Sequence, residues 1–215
     1  MAKKILAVLG DYYHRKDWAI QALESAITSM EETIEIEYST VDQLVENVAG
    51  NPDAVILFAE NRINPEDETV RTWMDEEEAS VIARYVENGG GWLAWHSGLA
   101  SYDNVQNYTS MLHGYFKYHP PEHQQVTYYP KPNSELVDKG SSFSILDEHY
   151  FVECDETRTN VFLITESVDG SSIGGWNHRF GKGNVVCLIP AHLKEGLMND
   201  YVQKLLISCV RKVIS

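Results

Sequence analysis

The chain has 215 residues, 43% of them hydrophobic, with 32 acidic against 17 basic side chains and a formal charge of −15. That length suits one α/β domain over residues 1–215, and folding would bury roughly 70% of the unfolded chain's surface, enough for a core without disulfides. The acidic balance, with no cluster of Lys and Arg, excludes nucleic acid as a partner, and no apolar run reaches the roughly 18 residues of a membrane span.

Residues 3–9 read as a buried strand, 17–30 as an amphipathic helix, and 33–39 as a strand in which Ile34 and Ile36 alternate with acids. Residues 53–59 form a continuous apolar strand of the kind buried on both faces in a parallel sheet. A helix over 76–88 stops at Gly89, and 92–95 is the next strand. This β-α-β-α-β rhythm predicts a parallel sheet with right-handed crossovers. The second half changes character. Residues 104–123 are aromatic, His-rich and turn-prone, and 124–129, 143–152, 161–165, 172–176 and 184–189 are strand-like. Residues 178–183 read as a hairpin connection, and a last helix covers 196–213.

The sharpest feature is Gly89-Gly90-Gly91-Trp92-Leu93-Ala94-Trp95-His96-Ser97: a helix stop, a buried strand, then a turn carrying His96 and Ser97. In open α/β sheets, ligands bind outside the carboxyl ends of strands. His192, following 185–189 through Pro190-Ala191, falls at a second such end. His14 after the first strand, and Glu60 and Asn61 after the third, complete a rim expected to bind substrate. Ser97 is a candidate nucleophile with His96 or His192 as base, or else a cap for a helix starting at 98 or 99, which is the favoured role. In the run 143–150, strand alternation puts Glu148 and Tyr150 on one side and His149 on the other. Among the aromatics of 108–123, Tyr118 and His119 suit the rim of a sugar pocket. His96, Glu148 and His192 together would also suit catalytic zinc, although no local ligand spacing supports it and a metal-free pocket is favoured. The cysteines, Cys154, Cys187 and Cys209, form no Cys-x-x-Cys pair and fit a reducing, cytoplasmic compartment. Residues 5–9 are too short a run for a signal peptide.

The sequence resembles the trehalose utilisation (ThuA-like) family, which shares the fold of class I glutamine amidotransferases. The resemblance rests on Gly89-Gly90-Gly91 through His96-Ser97, Phe116-Lys117-Tyr118-His119-Pro120, Asp147-Glu148-His149-Tyr150, and Gly181-Lys182-Gly183 leading to Pro190-Ala191-His192. It implies a three-layer αβα sandwich, flavodoxin-like, with a mostly parallel central sheet. Class I amidotransferases carry cysteine where His96 stands, and imidazole is a poor substitute for a thiolate in acyl transfer, so glutaminase activity is not expected. His192 is similar in position to their catalytic histidine, but Lys194 stands where they place an acid. The resemblance matches Glu148, Tyr150 and His119 to family positions and implies a role in carbohydrate catabolism, on a sugar or an oxidised disaccharide derivative. The roles expected are acid–base chemistry by His96 and His192, with Glu148 orienting or ligating and Tyr150 and His119 positioning substrate. The alternatives are a non-catalytic binding or regulatory module and a zinc-dependent hydrolase. The final helix and the aromatic segment offer surfaces for a homodimer.

Overall fold

The structure, a computed structural model, describes residues 2–132, 134–137 and 142–215. Its strands are β1 (Lys3–Leu9), β2 (Ile34–Ser39), β3 (Ala54–Phe58), β4 (Gly91–Trp95), β5 (Gly114–Tyr118), β6 (Gln124–Pro130), β7 (Phe143–Asp147), β8 (Phe151–Cys154), β9 (Asn160–Ser167), β10 (Gly170–Phe180) and β11 (Gly183–Leu188). The helices are α1 (Lys16–Thr28), α2 (Leu44–Val48), α3 (Glu76–Glu87), α4 (Gln106–Leu112), α5 (Lys194–Leu197) and α6 (Asp200–Val213). Nine strands form one sheet in the order β2-β1-β3-β4-β11-β10-β9-β6-β7, while β5 and β8 pair separately.

The continuous apolar runs fold as strands covered on both faces. In β1, Ile5, Ala7 and Leu9 face one core with Ala19 and Leu23 of α1 and Leu206 and Val210 of α6. Leu6 and Val8 face the other, with Leu44 of α2, Ile82 and Val86 of α3, and Tyr108 of α4. Period-two alternation of side chains explains the division. Three of the tryptophans, Trp92, Trp95 and Trp176, are core residues. The acidic run at 75–78 opens α3: the Asp75 side chain accepts from the Glu77 N–H, and Glu78 reaches back to the Asp75 N–H. Such a reciprocal cap satisfies backbone donors that the helix leaves free.

Several expectations are corrected. The sheet is mixed, not mostly parallel: β2, β1, β3, β4 and β11 run parallel, but β11, β10, β9, β6 and β7 pair antiparallel. The reason is connection length, since β9, β10 and β11 are joined by tight turns that cannot hold the crossover a parallel pair needs. Residues 143–152 are not one strand. The chain leaves the large sheet after Asp147 and begins β8 in the small sheet at Phe151. The segment 104–123 contains α4 and β5. The final helix is broken at Asn199, whose side chain caps α6 by accepting from the Tyr201 N–H. No long helix follows Ser97, only a single 3-10 turn, His96–Leu99.

Candidate functional site

Because β1, β3, β4 and β11 are parallel neighbours, their carboxyl ends open on one edge, as in other sheets that bind ligands there. The loop after β1 delivers Asp11 and His14, the loop after β3 delivers Glu60, the turn after β4 delivers His96, and the loop after β11 delivers His192. Glu148 comes from the end of β7. One ligand-capable atom from each of His14, His96, Glu148 and His192 lies within 4.8 Å of the other three.

The turn at His96 is tight and left-handed, with φ 46°. Gly98 makes it possible, because a methyl group there would collide with the Leu57 carbonyl oxygen of β3. The His96 ring is fully buried, stacked on Tyr150 with centroids 4.3 Å apart, and its Nδ1 lies 2.7 Å from the Ile189 carbonyl oxygen. A carbonyl only accepts, so Nδ1 carries the proton and Nε2 keeps a lone pair. Nε2 faces Glu148 Oε2 at 3.5 Å. His14 is held in the same way by Asp11, whose Oδ1 is 2.7 Å from Nδ1. Its ring meets those of His96 and His192 edge-on. His192 Nδ1 lies 3.2 Å from Glu148 Oε2.

Burial lowers the pKa of the His96 imidazole, against the pull of Glu148. Burial also opposes ionisation of Glu148, but the His192 imidazole beside it outweighs that and holds the carboxyl below the usual range. For His192 burial opposes protonation, yet the neighbouring Glu148 carboxylate raises its pKa. Glu60 is pushed up by burial and by Asp11, with the Ser101 hydroxyl opposing at 2.5 Å.

Two framework acids escape sequence reasoning. Asp147 is fully buried, and its Oδ1 accepts from the backbone N–H groups of Glu148 at 3.0 Å and His192 at 2.8 Å, while Oδ2 accepts from Tyr128 at 2.6 Å. One carboxyl thereby ties the end of β7 to the loop after β11. The signal was present: Asp147 shares the inward side of β7 with Phe143 and Ile145. Asp11 orients His14 and also accepts the Glu60 N–H at 2.8 Å. It directly follows Gly10, whose φ of 88° ends β1 in a conformation suited to glycine.

Other candidates lie variously. Tyr150 stacks on His96, packs on Phe116, and has His119 on its flank at 5.7 Å. The exposed His123 ring lies 5.2 Å from His192. His149 turns away to Ser167 and Thr165. Asn61 is 1% exposed and spends its side-chain amide on the backbone N–H and carbonyl of Met74. Tyr118 is exposed. It stacks flat on Phe151 at the outer surface, because a register shift between Phe116 and Tyr118 in the β5–β8 pair breaks the alternation that would keep them on one side. The Ser97 hydroxyl is buried and makes no hydrogen bond, so it is not the cap expected and no imidazole activates it here.

Fold and site define an α/β protein that gathers three imidazoles and a carboxylate at the carboxyl edge of the parallel half of its sheet. The chain belongs to the ThuA family, described as trehalose utilisation, whose model matches residues 4–211. That description ties it to carbohydrate metabolism. Among solved structures it is similar to a ThuA-like protein from Bacteroides uniformis ATCC 8492, with 18% identity and a TM-score of 0.70 over 99% of this chain and 91% of that one. It is also similar to the cytoplasmic protein STM1381 from Salmonella typhimurium LT2, with 14% identity and a TM-score of 0.68 over 98% and 99% of the two chains. A β-galactosidase from Bacillus circulans sp. alkalophilus matches 99% of this chain with 30% of its own, at 11% identity and a TM-score of 0.66. At these identities the likeness is one of fold. No curated protein matches by sequence. Among the described helices none is long and apolar enough to cross a membrane.

Proposed function

We propose that this chain acts in cytoplasmic carbohydrate catabolism, transforming a sugar or an oxidised disaccharide derivative at the His14–His96–Glu148–His192 centre, without hydrolysing glutamine. The reading takes the parallel half of the sheet as the three-layer, flavodoxin-like scaffold of the amidotransferases, with its nucleophile replaced. The observation that carries it is the convergence of those four side chains within 4.8 Å at the carboxyl edge. Thiol chemistry has no support: Cys187 and Cys209 are buried, and burial pushes the Cys154 thiol up to about 11. Burial raises the pKa of Glu60, with Asp11 adding to it and the Ser101 hydroxyl opposing, and its carboxyl stands on the same edge as a contact for substrate. His119 and the exposed His123 offer hydrogen bonds at the rim, and the Tyr150 ring fixes the plane of His96.

The buried, unbonded Ser97 hydroxyl favours one second reading, a binding module that kept the pocket and lost the nucleophile. A thermal-shift screen of sugars and oxidised disaccharides, followed by a turnover assay on each hit, separates the two. Glu148→Gln is the sharper probe, because His96→Ala would also remove a fully buried ring from its stack. We expect the Gln variant to lose about 10²-fold or more of turnover with its melting temperature little changed. Binding without conversion would leave the module reading, and turnover by the variant at the native rate would overturn the assigned centre.

A further inference from the structure

We propose that His14, His96, His192 and Glu148 bind one divalent first-row transition-metal ion of the zinc or manganese(II) class. The inference deepens the reading above and rests on it only for where a substrate would meet the ion. Three observations carry it.

The first is an orphaned set of lone pairs. His14 Nε2, His96 Nε2 and His192 Nδ1 are all buried without a hydrogen-bond partner. They come from three separate loops, and their atoms gather around the Glu148 carboxylate. Buried polar atoms in native structures normally find partners, so three in one place point to a missing one. A neighbouring side chain does not serve, since a single proton shared with Glu148 would satisfy only one nitrogen.

The second is tautomer control. Asp11 takes the Nδ1 proton of His14 and the Ile189 carbonyl takes that of His96. Both rings are therefore oriented with the unprotonated nitrogen facing inward. Imidazoles that ligate metals are held in this way, by a carboxylate or a backbone carbonyl on the far nitrogen. Without a cation, the His96 lone pair would point at the Glu148 carboxylate across 3.5 Å, which is repulsive.

The third is donor chemistry and spacing. Three imidazoles and a carboxylate, with no thiolate, suit zinc, manganese, iron, cobalt or nickel better than copper(I). Bonds of about 2.1 Å in a tetrahedral shell set donors about 3.4 Å apart. Glu148 Oε2 stands 3.2 Å from His192 Nδ1 and 3.5 Å from His96 Nε2. The widest pair is within 4.8 Å, so closure onto an ion needs side-chain shifts of about an ångström. Side-chain exposures of 15% at Glu148 and 13% at His192 leave that side of the centre reachable from solvent.

The test is metal binding by the purified full chain, with no sugar present. Protein stripped with a chelator is titrated calorimetrically with zinc chloride and, separately, manganese(II) chloride, and bound metal is counted by elemental analysis after desalting. We expect one ion per chain and a raised melting temperature. Glu148→Gln and His192→Ala should abolish stoichiometric binding, and Asp11→Asn, which touches no ion, should weaken it about 10–100-fold. His113→Gln, whose ring stacks on His178 away from the centre, should bind as the native chain does. Fractional stoichiometry, or binding unchanged in Glu148→Gln, would overturn the proposal. So would binding retained in full by His192→Ala, which would leave the carbohydrate reading standing. A chain that binds one ion at this centre and converts no sugar would sink that reading alone.

Discussion

Replacing Asp147 tests whether one buried carboxyl assembles the centre. Its Oδ1 receives two backbone N–H groups, from Glu148 and His192, and its Oδ2 receives the Tyr128 hydroxyl. Asp147→Ala orphans all three donors, and a buried donor left unpaired costs about 1–3 kcal/mol. Because the site is partly reachable by water, some of that cost is recovered, and about 4 kcal/mol is expected. For a chain of this size about 2–4 °C accompanies each kcal/mol, so the melting temperature should fall by about 8–16 °C. Asp147→Asn keeps an oxygen for both N–H groups and offers its amide to the Tyr128 oxygen, so it should cost about 1 kcal/mol or less. Urea unfolding of the native chain and both variants, with an unchanged slope against denaturant, reads the difference directly. Equal stabilities for the Ala and Asn variants would refute the argument that these hydrogen bonds hold the β7 end to the loop after β11.

Further predictions concern the same edge and the opposite half of the molecule. Gly98→Ala should collide with the Leu57 carbonyl and displace His96, lowering both stability and ligand binding; a native melting curve with native binding would contradict the packing described. Burial holds His178 down to about 4, from an ordinary 6.5, despite the Met111 carbonyl that accepts from its Nε2. The fold therefore prefers the neutral ring. Its contribution is complete above pH 6.5 and is lost as the pH falls toward 4, amounting to about 3 kcal/mol over that window. His178→Gln keeps an N–H for Met111 and should remove most of this loss, so unfolding at pH 7 and at pH 4.5 should differ less in the variant. An identical acid loss in both would show that His178 is not responsible.

Much of the fold was legible because local patterns and tertiary structure agree. The apolar runs at 3–9, 53–59 and 184–189 had to be buried on both faces, and the acidic start and glycine stop of α3 follow from the donors and carbonyls that a helix leaves free at its ends. Agreement failed where partners are distant. The run 143–152 has strand composition throughout, but the Asp147 side chain is engaged by the backbone of His192, 45 residues away, and the chain turns off to a second sheet. Tyr118 and Phe116 part company because a bulge shifts the register locally, and a bulge leaves little trace in alternation. The burial of Asn61 was not legible because its hydrogen bonds to Met74 come from chain 13 residues further on.

The sequence by itself determined which loops end at a strand's carboxyl edge and which polar residues they carry, since strand burial and turn chemistry are short-range properties. It put His14, Glu60, His96 and His192 on loops expected to meet at one edge, and made Glu148 a further candidate. Only tertiary structure decided that four of these side chains come within 4.8 Å of one another, that Asp11 and the Ile189 carbonyl turn two rings to face inward, and that Asp147 pins Glu148 and His192 together. Those are contacts between residues tens of positions apart, where hydrogen-bond direction and distances of a few ångströms set the chemistry, and no periodicity along a chain encodes them.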